Sequence, residues 1–266
     1  MNIAITQSEF GIIQKLLFKE CGISLNDTKK SMVESRLFKR IEYYKVSSYA
    51  DYLKIVQISS LEKNEFLNAL STNETYFFRE KKHFEFLVEL AKNSKKLRIW
   101  SAASSMGAEA YSAAMILDTY MEKDSWKVEA SDINTQVLEV AKKGLYPFSW
   151  SEKISQVFKT KYCLKGSGKF ENKMLIDRIL SPNINFFQHN LMKKNINIGR
   201  FDVIFFRNVL LYFTEDTKLT VIRNILSNLK NGGYFIISMT ETFKDDKIKD
   251  LKFLKNNIYQ KVSYEL

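Results

Sequence analysis

Glycine, proline and cysteine are scarce in this chain of 266 residues, and each shortage excludes a class of protein. With 9 Gly and 2 Pro, the composition is far from that of collagen or of long disordered segments. The two cysteines, Cys21 and Cys163, have neither metal-binding nor redox spacing. We therefore expect no metal site, and free thiols in a reducing cytoplasm.

Long apolar runs and targeting signals are missing as well. No run approaches the roughly 20 apolar residues of a membrane-spanning helix. The N-terminal segment lacks the basic, apolar and small-residue regions of a signal peptide. We expect a cytoplasmic protein without membrane insertion. The 45% hydrophobic content is enough for one large α/β domain and a small companion domain.

Positive charge is abundant but unevenly placed. The formal net charge is +11, and residues 142–200 alone carry 12 Lys and Arg against 3 Asp and Glu, a net charge of +9. Such an excess suggests an acidic or anionic partner. An AT-rich genome, which favours Lys and Asn, remains an alternative explanation.

Residues 1–71 are expected to form an all-helical N-terminal domain, because apolar side chains recur there at helical spacing. The recurring positions are Phe10, Ile13, Leu16 and Leu17, then Met32, Val33, Leu37 and Ile41. Residues 72–92 are expected to be a linker that ends in a helix from Lys82 to Lys92.

From Leu97 on, short apolar runs alternate with amphipathic helical segments, which predicts an α/β domain over residues 93–266 with a mostly parallel sheet. The helix after Thr214 is predicted to end at the pair Gly232-Gly233, and the tail predicts a hairpin around Asn256-Asn257. Residues 147–183 break the alternation and are expected to form a small inserted β-subdomain that serves recognition. Strands are predicted at 97–103, 126–132, 183–191, 201–209 and 234–240.

Polar residues follow these strands, where an open α/β sheet binds its ligand. Gly107 would admit a compact carboxylate at a helix N-terminus, although one glycine is a weak signal for a pyrophosphate. Asp132 would accept hydrogen bonds from ribose hydroxyls, Glu109 would hold an ammonium or a ribose, and Asn190 would pair with an adenine edge. Each has an ordinary alternative: a turn glycine, a helix cap, a first-turn acid favoured by the helix dipole, or a loop amide. Together they favour a nucleoside-bearing ligand.

Four longer segments carry a more specific pattern: Thr72–Phe84 (TNETYFFREKKHF), Arg98–Leu117, Ala130–Tyr146 and Phe201–Phe235. They closely resemble the CheR family, the chemotaxis methyltransferases that methylate glutamates on bacterial chemoreceptors. The resemblance covers nearly the whole chain in order, and the Thr-Asn-x-Thr-x-Phe-Phe-Arg and Phe-x-Arg-Asn-Val-x-x-Tyr-Phe blocks are highly specific. It implies a class I, Rossmann-like methyltransferase core, with a helical N-terminal domain and an inserted β-subdomain.

The resemblance also implies ligands and residue roles. The cofactor would be S-adenosyl-L-methionine, with S-adenosyl-L-homocysteine as product. Arg79 and Tyr212 match the residues beside the reacting methyl group. Gly107 joins the predicted cofactor contacts from its place in the turn, and the family pattern supplies the others: Asn73, Thr75, Arg79, Glu109, Asp132, Asn190, Leu191, Asn208 and Val209.

The implied partners are the cytoplasmic helices of chemoreceptors, bound by a monomer that takes no nucleic acid. A receptor's C-terminal tether peptide would bind the β-subdomain, which keeps the family's Gly166-x-Gly168 turn. The family's receptor-docking surface is a basic N-terminal helix, which this chain matches at Lys29, Lys30, Arg36, Lys39 and Arg40. The alternative is that these residues form an ordinary solvated helix face.

A glutamate substrate, with a pKa of about 4.3, is ionised at neutral pH and needs no general base. The enzyme would contribute alignment and exclusion of water. Arg79 is expected to orient a carboxylate or close the linker, and Tyr212 to shape the methyl channel and hydrogen-bond the glutamate. Methylation of a nucleic acid, drawn by the basic segment, and a regulatory module without catalysis remain alternatives.

The chain departs from the family pattern at a few positions. Ala108 and Ala110 replace an acid and a proline at the start of the helix after Gly107. Glu42 stands on the docking helix where close relatives often have a basic residue. Of the Gly-His-Ser-Glu sequence after the fifth strand, only the acid is kept, as Glu241.

Overall fold

The computed structural model describes residues 3–194, 198–243 and 248–262. Its N-terminal part is helical, as predicted, with helices α1 (Gln7–Cys21), α2 (Lys30–Tyr44), α3 (Tyr49–Ile58) and α4 (Ser60–Leu70). A capping box starts α1, because the Thr6 hydroxyl accepts from the Glu9 amide and the Glu9 carboxylate accepts from the Thr6 amide. The four helices bury their apolar faces in one core that includes Phe10, Leu37 and Phe66.

The first half of the larger domain follows the predicted alternation. It comprises α5 (Lys81–Lys92), β1 (Leu97–Ala102), α6 (Ala108–Tyr120), β2 (Trp126–Asp132) and α7 (Thr135–Lys143). Gly144 ends α7 with a φ of 64°, a left-handed conformation that glycine adopts without steric cost.

The insertion is a small antiparallel sheet with one helix. It contains β3 (Leu145–Pro147), α8 (Gln156–Tyr162), β4 (Cys163–Lys165) and β5 (Lys173–Ile176), and the strands lie in the order β3-β5-β4. The small sheet begins two residues before the expected insertion boundary at 147, and the sequence did not predict α8.

The chain then returns to the large sheet with β6 (Ile184–Gln188), β7 (Phe201–Phe205), α9 (Glu215–Leu226), β8 (Leu229–Ile236), β9 (Leu251–Lys255) and β10 (Ile258–Lys261). The prediction that α9 continues to Gly232-Gly233 is wrong, because both glycines lie in β8. Leu229 pairs with Phe201 of β7, and a shift of register between Phe201 and Val203 accommodates Gly232 at a φ of 78°.

The large sheet has seven strands in the order β6-β2-β1-β7-β8-β10-β9. The first five are parallel and the terminal β9–β10 hairpin is antiparallel, which confirms the predicted mostly parallel sheet. Asn256 and Asn257 form the hairpin turn with φ of 51° and 56°. Neighbours on a strand face opposite sides, so Ile99 and Trp100 of β1 belong to separate cores that cover the two faces.

The described residues include no helix that is long and apolar enough to cross a membrane.

Candidate active site

A cleft of about 940 Å³, measured to its open mouth, lies where β1, β2 and β7 end. The linker, the strand ends and the C-terminal end of α1 all contribute to its walls. The predicted site residues that line it are Asn73, Thr75, Arg79, Glu109, Asp132, Asn190, Leu191, Asn208, Val209 and Tyr212.

Gly107 is the predicted cofactor residue that does not line this cleft. A Cβ atom at this position would lie 2.8 Å from Ala141 Cβ and 3.1 Å from Phe186 Cε1, and the φ is 85°. Glycine is therefore required by the packing of the turn against α7 and β6, rather than by the approach of a ligand. Ser104 and Ser105 are the residues of the turn that face the cleft.

Asp132 at the end of β2 fixes the same turn. Its Oδ2 accepts a hydrogen bond from the Ser105 amide at 2.8 Å, and its Oδ1 accepts one from the Asn134 amide at 2.9 Å. Asn134, rather than Asp132, caps α7, since its side chain accepts from the amides of Gln136 and Val137. Burial raises the pKa of Asp132 despite its amide donors. The carboxylate retains free lone pairs for a ligand's hydroxyls.

Arg207 lies at the centre of a charged network beneath the cleft. Its side chain is only 1% exposed and contacts Glu80 at 3.1 Å and Glu109 at 3.0 Å. It also donates to the Arg79 carbonyl. Glu109 accepts a further hydrogen bond from the Ser101 hydroxyl at 2.6 Å. Burial raises the pKa of Glu109 and outweighs these partners.

The pKa of Glu80 is shifted in the opposite direction to that of Glu109. Burial alone would raise its pKa, but hydrogen bonds from Ser238 and Met239, together with the charge of Arg207, outweigh burial and lower it. The network therefore ties the linker to the ends of β7 and β8.

Glu241 is the one residue kept from the family's Gly-His-Ser-Glu sequence, and its contacts give it a structural role. Its carboxylate accepts from the amides of Asn208, Leu210 and Ser238 at 2.8–3.1 Å. These contacts hold the loop after β7, in which Asn208 has a φ of 59° and donates its side-chain amide to the Ser238 hydroxyl. Asn208 is thereby fixed at the cleft wall.

The helical domain closes one side of the cleft. The Asn190 side chain donates to the Glu20 carbonyl at 2.6 Å and accepts from the Met192 amide at 3.0 Å, so it joins the end of β6 to the end of α1. Ile23 forms an antiparallel bridge with Phe213, and the Ser24 amide donates to the Tyr212 carbonyl at 2.8 Å. Cys21 and Ile23 line the cleft together with Leu191 and Val209.

The linker supplies the remaining wall. Asn73 accepts a hydrogen bond on its carbonyl from the Ser105 hydroxyl at 2.8 Å. Thr75 lines the cleft beside it. Arg79 donates to the Glu74 carbonyl at 3.1 Å, and its guanidinium lies 5.6 Å from the centre of the Tyr76 ring.

The expected docking residues divide into two groups. Arg36 donates to the carbonyls of Leu70 and Ser71, and Arg40 pairs with the buried Glu62, so both hold the helical domain together. Their sequence pattern does not distinguish this role from a docking role. The side chains of Lys29 and Lys39 are exposed and that of Lys30 is partly exposed.

Sequence reasoning missed Glu80 and the function of Glu241. Glu80 stands inside the Thr72–Phe84 segment, next to Arg79, so the motif itself was the available signal. Ser104 lines the cleft, and its buried Oγ lacks a hydrogen-bond partner among the described residues. No cluster of three or more potential metal ligands occurs in 3–194, 198–243 and 248–262.

Comparisons with known proteins match both domains. Residues 8–71 match the family described as "CheR methyltransferase, all-alpha domain", and residues 73–259 match "CheR methyltransferase, SAM binding domain". The chain is 36% identical to the "Chemotaxis protein methyltransferase" of Salmonella typhimurium (strain LT2) over 92% of this chain and 87% of that protein. For Borreliella burgdorferi (strain B31) the identity to the protein of the same name is 33%, over 98% and 96%.

The cleft fits the cofactor that the family description names. S-adenosylmethionine carries an ammonium, a carboxylate, a ribose and an adenine, and the cleft offers three carboxylates, two guanidiniums and three side-chain amides. The unpartnered Ser104 hydroxyl is a polar atom that a ligand in the cleft would satisfy. The predictions of the family, of an α/β methyltransferase fold and of S-adenosylmethionine as cofactor are confirmed. The chain belongs to the CheR methyltransferase family.

Proposed function

We propose that this methyltransferase transfers the methyl group of S-adenosylmethionine to glutamate side chains of bacterial chemoreceptors, giving glutamate 5-O-methyl esters. The observation that carries the proposal is the convergence of Arg79 and Tyr212 on the cleft that holds the predicted cofactor contacts. The names of the relatives, chemotaxis protein methyltransferases, support it.

S-adenosylmethionine, when bound, supplies a methyl group on a positively charged sulfur. The protein's part is to align and enclose the reactants. A glutamate carboxylate is already ionised at neutral pH, so the cleft need not remove a proton. Arg79, on the linker, orients a carboxylate or closes the linker over the cofactor. Tyr212 shapes the channel to the methyl group and hydrogen-bonds the incoming glutamate.

Two substitutions test this division. Arg79→Ala is expected to weaken cofactor binding measurably in calorimetry, whereas Tyr212→Phe is expected to retain parental affinity and to lose methyl transfer. The phenylalanine keeps the ring and removes only the hydroxyl, so it separates packing from hydrogen bonding. Full activity in both variants would refute the assigned roles.

The substrate is tested with labelled S-adenosylmethionine and cytoplasmic fragments of the host's receptors. Label in base-labile methyl esters, lost when receptor glutamates are replaced by glutamine, is the expected result. Label on DNA or RNA instead would favour the alternative suggested by the net charge of +9 in residues 142–200. Cofactor binding without ester on any receptor would favour a regulatory module.

The exposed Lys29 and Lys39 and the partly exposed Lys30, on α2 or directly before it, are the proposed contacts to acidic receptor helices. Lys39 is exposed, whereas Arg40 is bound to Glu62, so the two neighbours form a matched pair. Lys39→Glu is expected to weaken receptor methylation while leaving cofactor affinity and thermal stability unchanged. Arg40→Met is expected to lower thermal stability. If Lys39→Glu methylates receptor fragments at the normal rate, α2 is not the docking surface.

The β-subdomain offers a second receptor contact. β4 lies at an edge of the small sheet, and Phe148, Lys159 and Lys165 line a groove beside it. An acidic, extended tether peptide would add to β4 as a further strand.

A further inference from the structure

Arg79 stands between two residues with left-handed backbone conformations. Phe78 has a φ of 55° and Glu80 a φ of 59°, and neither is glycine. Such conformations cost energy and persist only where the surrounding structure holds them. The conformation of residues 78–80 determines where the Arg79 side chain points, so the contacts that hold this segment also control Arg79.

The Glu80 side of this segment is held by polar contacts. Its carboxylate accepts from the Ser238 hydroxyl at 2.6 Å and from the Met239 amide at 3.1 Å, and it pairs with Arg207. On the other side, the Phe78 amide donates to the Ser112 hydroxyl at 3.0 Å. The remaining contacts of Phe78 are made by its ring.

That ring is held by the inserted β-subdomain. Phe158 of α8 stacks on Phe78 with ring centres 5.3 Å apart and planes 3° from parallel, while Phe84 of α5 meets the ring at an angle of 66°. Phe77 is enclosed in the same way, by Tyr146 and Trp150 of the β-subdomain. The two phenylalanines that precede Arg79 are thus seated in the insertion.

We propose that Phe158 is a positioning residue for the cofactor site: its ring fixes Phe78, and through Phe78 it sets the conformation that presents Arg79 to the cleft. The inference rests on the role proposed above for Arg79. It gives the β-subdomain a part in cofactor binding in addition to any contact with a receptor. Phe158 itself is absent from the cleft wall, so its effect on the cofactor must pass through the linker.

The test is a double-mutant cycle on the dissociation constant of S-adenosylmethionine, measured by calorimetry on the full chain. Phe158→Ala is expected to weaken binding about three- to tenfold, the range given by one aromatic pair. Because Phe158 acts through Arg79, the double variant Phe158→Ala/Arg79→Ala should bind no more weakly than Arg79→Ala alone. A general loss of structure would instead weaken both backgrounds by the same factor.

Phe170→Ala is the matched control, since Phe170 lies in the same subdomain but is 46% exposed. It should bind the cofactor as the parent does. Phe158→Tyr, which keeps the stacked ring, should restore the parental affinity, and Phe158→Leu serves if the alanine variant does not fold. Parental affinity in both Phe158→Ala and Phe158→Leu would overturn the proposal, and so would additive losses in the cycle.

The outcomes also separate this inference from the proposed function. If Arg79→Ala weakens binding while Phe158→Ala does not, only the positioning role fails. If Arg79→Ala itself binds the cofactor normally, the proposed role of Arg79 fails and the positioning role fails with it.

Discussion

Arg207 is the buried cation on which the arrangement beneath the cleft depends. It pairs with Glu80 and Glu109 while its side chain is 1% exposed. Arg207→Met keeps much of the apolar volume and removes the charge. It leaves two carboxylates in a buried setting without their cation, an arrangement that costs far more than the loss of a surface ion pair.

The magnitude follows from the geometry. Breaking a buried pair by removing one partner costs about 3–5 kcal/mol, and here both contacts are short, at 3.1 and 3.0 Å. For a chain of this size, each kcal/mol lowers the melting temperature by about 2–4 °C, so the variant should melt about 6–20 °C lower. The melting temperature of Arg207→Lys should lie between those of the parent and of Arg207→Met, because one ammonium cannot contact both carboxylates with the fork geometry of a guanidinium.

The stability difference between the parent and Arg207→Met should depend on pH. Without the cation, the folded-state pKa of Glu80 rises and that of Glu109, already raised by burial, rises further, so the folded variant takes up protons more readily than the parent as the pH falls. The parent, in which Arg207 helps to lower the pKa of Glu80, instead loses that contribution on acidification. The difference in stability should therefore shrink between pH 7.5 and pH 5.

Urea unfolding followed by circular dichroism at both pH values measures this difference, with Arg178→Met, at an exposed position, as the control. A loss below about 1 kcal/mol would put Arg207 among ordinary surface pairs. A difference that grows on acidification would refute the assignment of the two carboxylates.

Two further predictions concern the turn and the strand end beside the cleft. Gly107→Ala should cost about 2–4 kcal/mol, because a clash adds to the left-handed backbone, whereas Gly168→Ala, with a φ of 56° and nothing within 4 Å, should cost about 1–2 kcal/mol in the same urea assay. Equal losses would contradict the packing argument. Cofactor affinity should fall from pH 8 to pH 5, since burial raises the pKa values of Asp132 and Glu109 and protonation removes acceptors. In calorimetry, Asp132→Asn should bind the cofactor more weakly than the parent and with a flatter pH profile. A parental affinity that is constant from pH 8 to pH 5 would contradict the role given to these carboxylates.

Local sequence patterns predicted much of the fold. β2 has the predicted bounds, Trp126–Asp132, because the charged and turn-forming residues on both sides leave little choice of boundary. The end of α9 was mispredicted because its helical pattern continues past Leu226, whereas pairing of Leu229 with Phe201 starts a strand there. Pairing over that distance leaves no local signal in the sequence.

The residues of the site also differ in how well the sequence indicates them. Asp132, Asn190 and Asn208 could be found because parallel strands end at one edge of the sheet. For Glu80 the only signal was its place in the Thr72–Phe84 segment, since its partners Arg207 and Ser238 lie 127 and 158 positions away. For Gly107 the sequence indicated the need for glycine, but only the positions of Ala141 and Phe186 show that the need is steric.

The bridge between Ile23 and Phe213 bears on how this enzyme can be divided or recombined. The two family descriptions meet at residues 71 and 73, which invites the excision of the cofactor-binding part as a module. A cut there would remove Cys21 and Ile23 from the cleft wall and release the backbone of Tyr212 from Ser24. We expect neither half to be exchangeable between relatives unless the α1 end and the loop after β7 are transferred together.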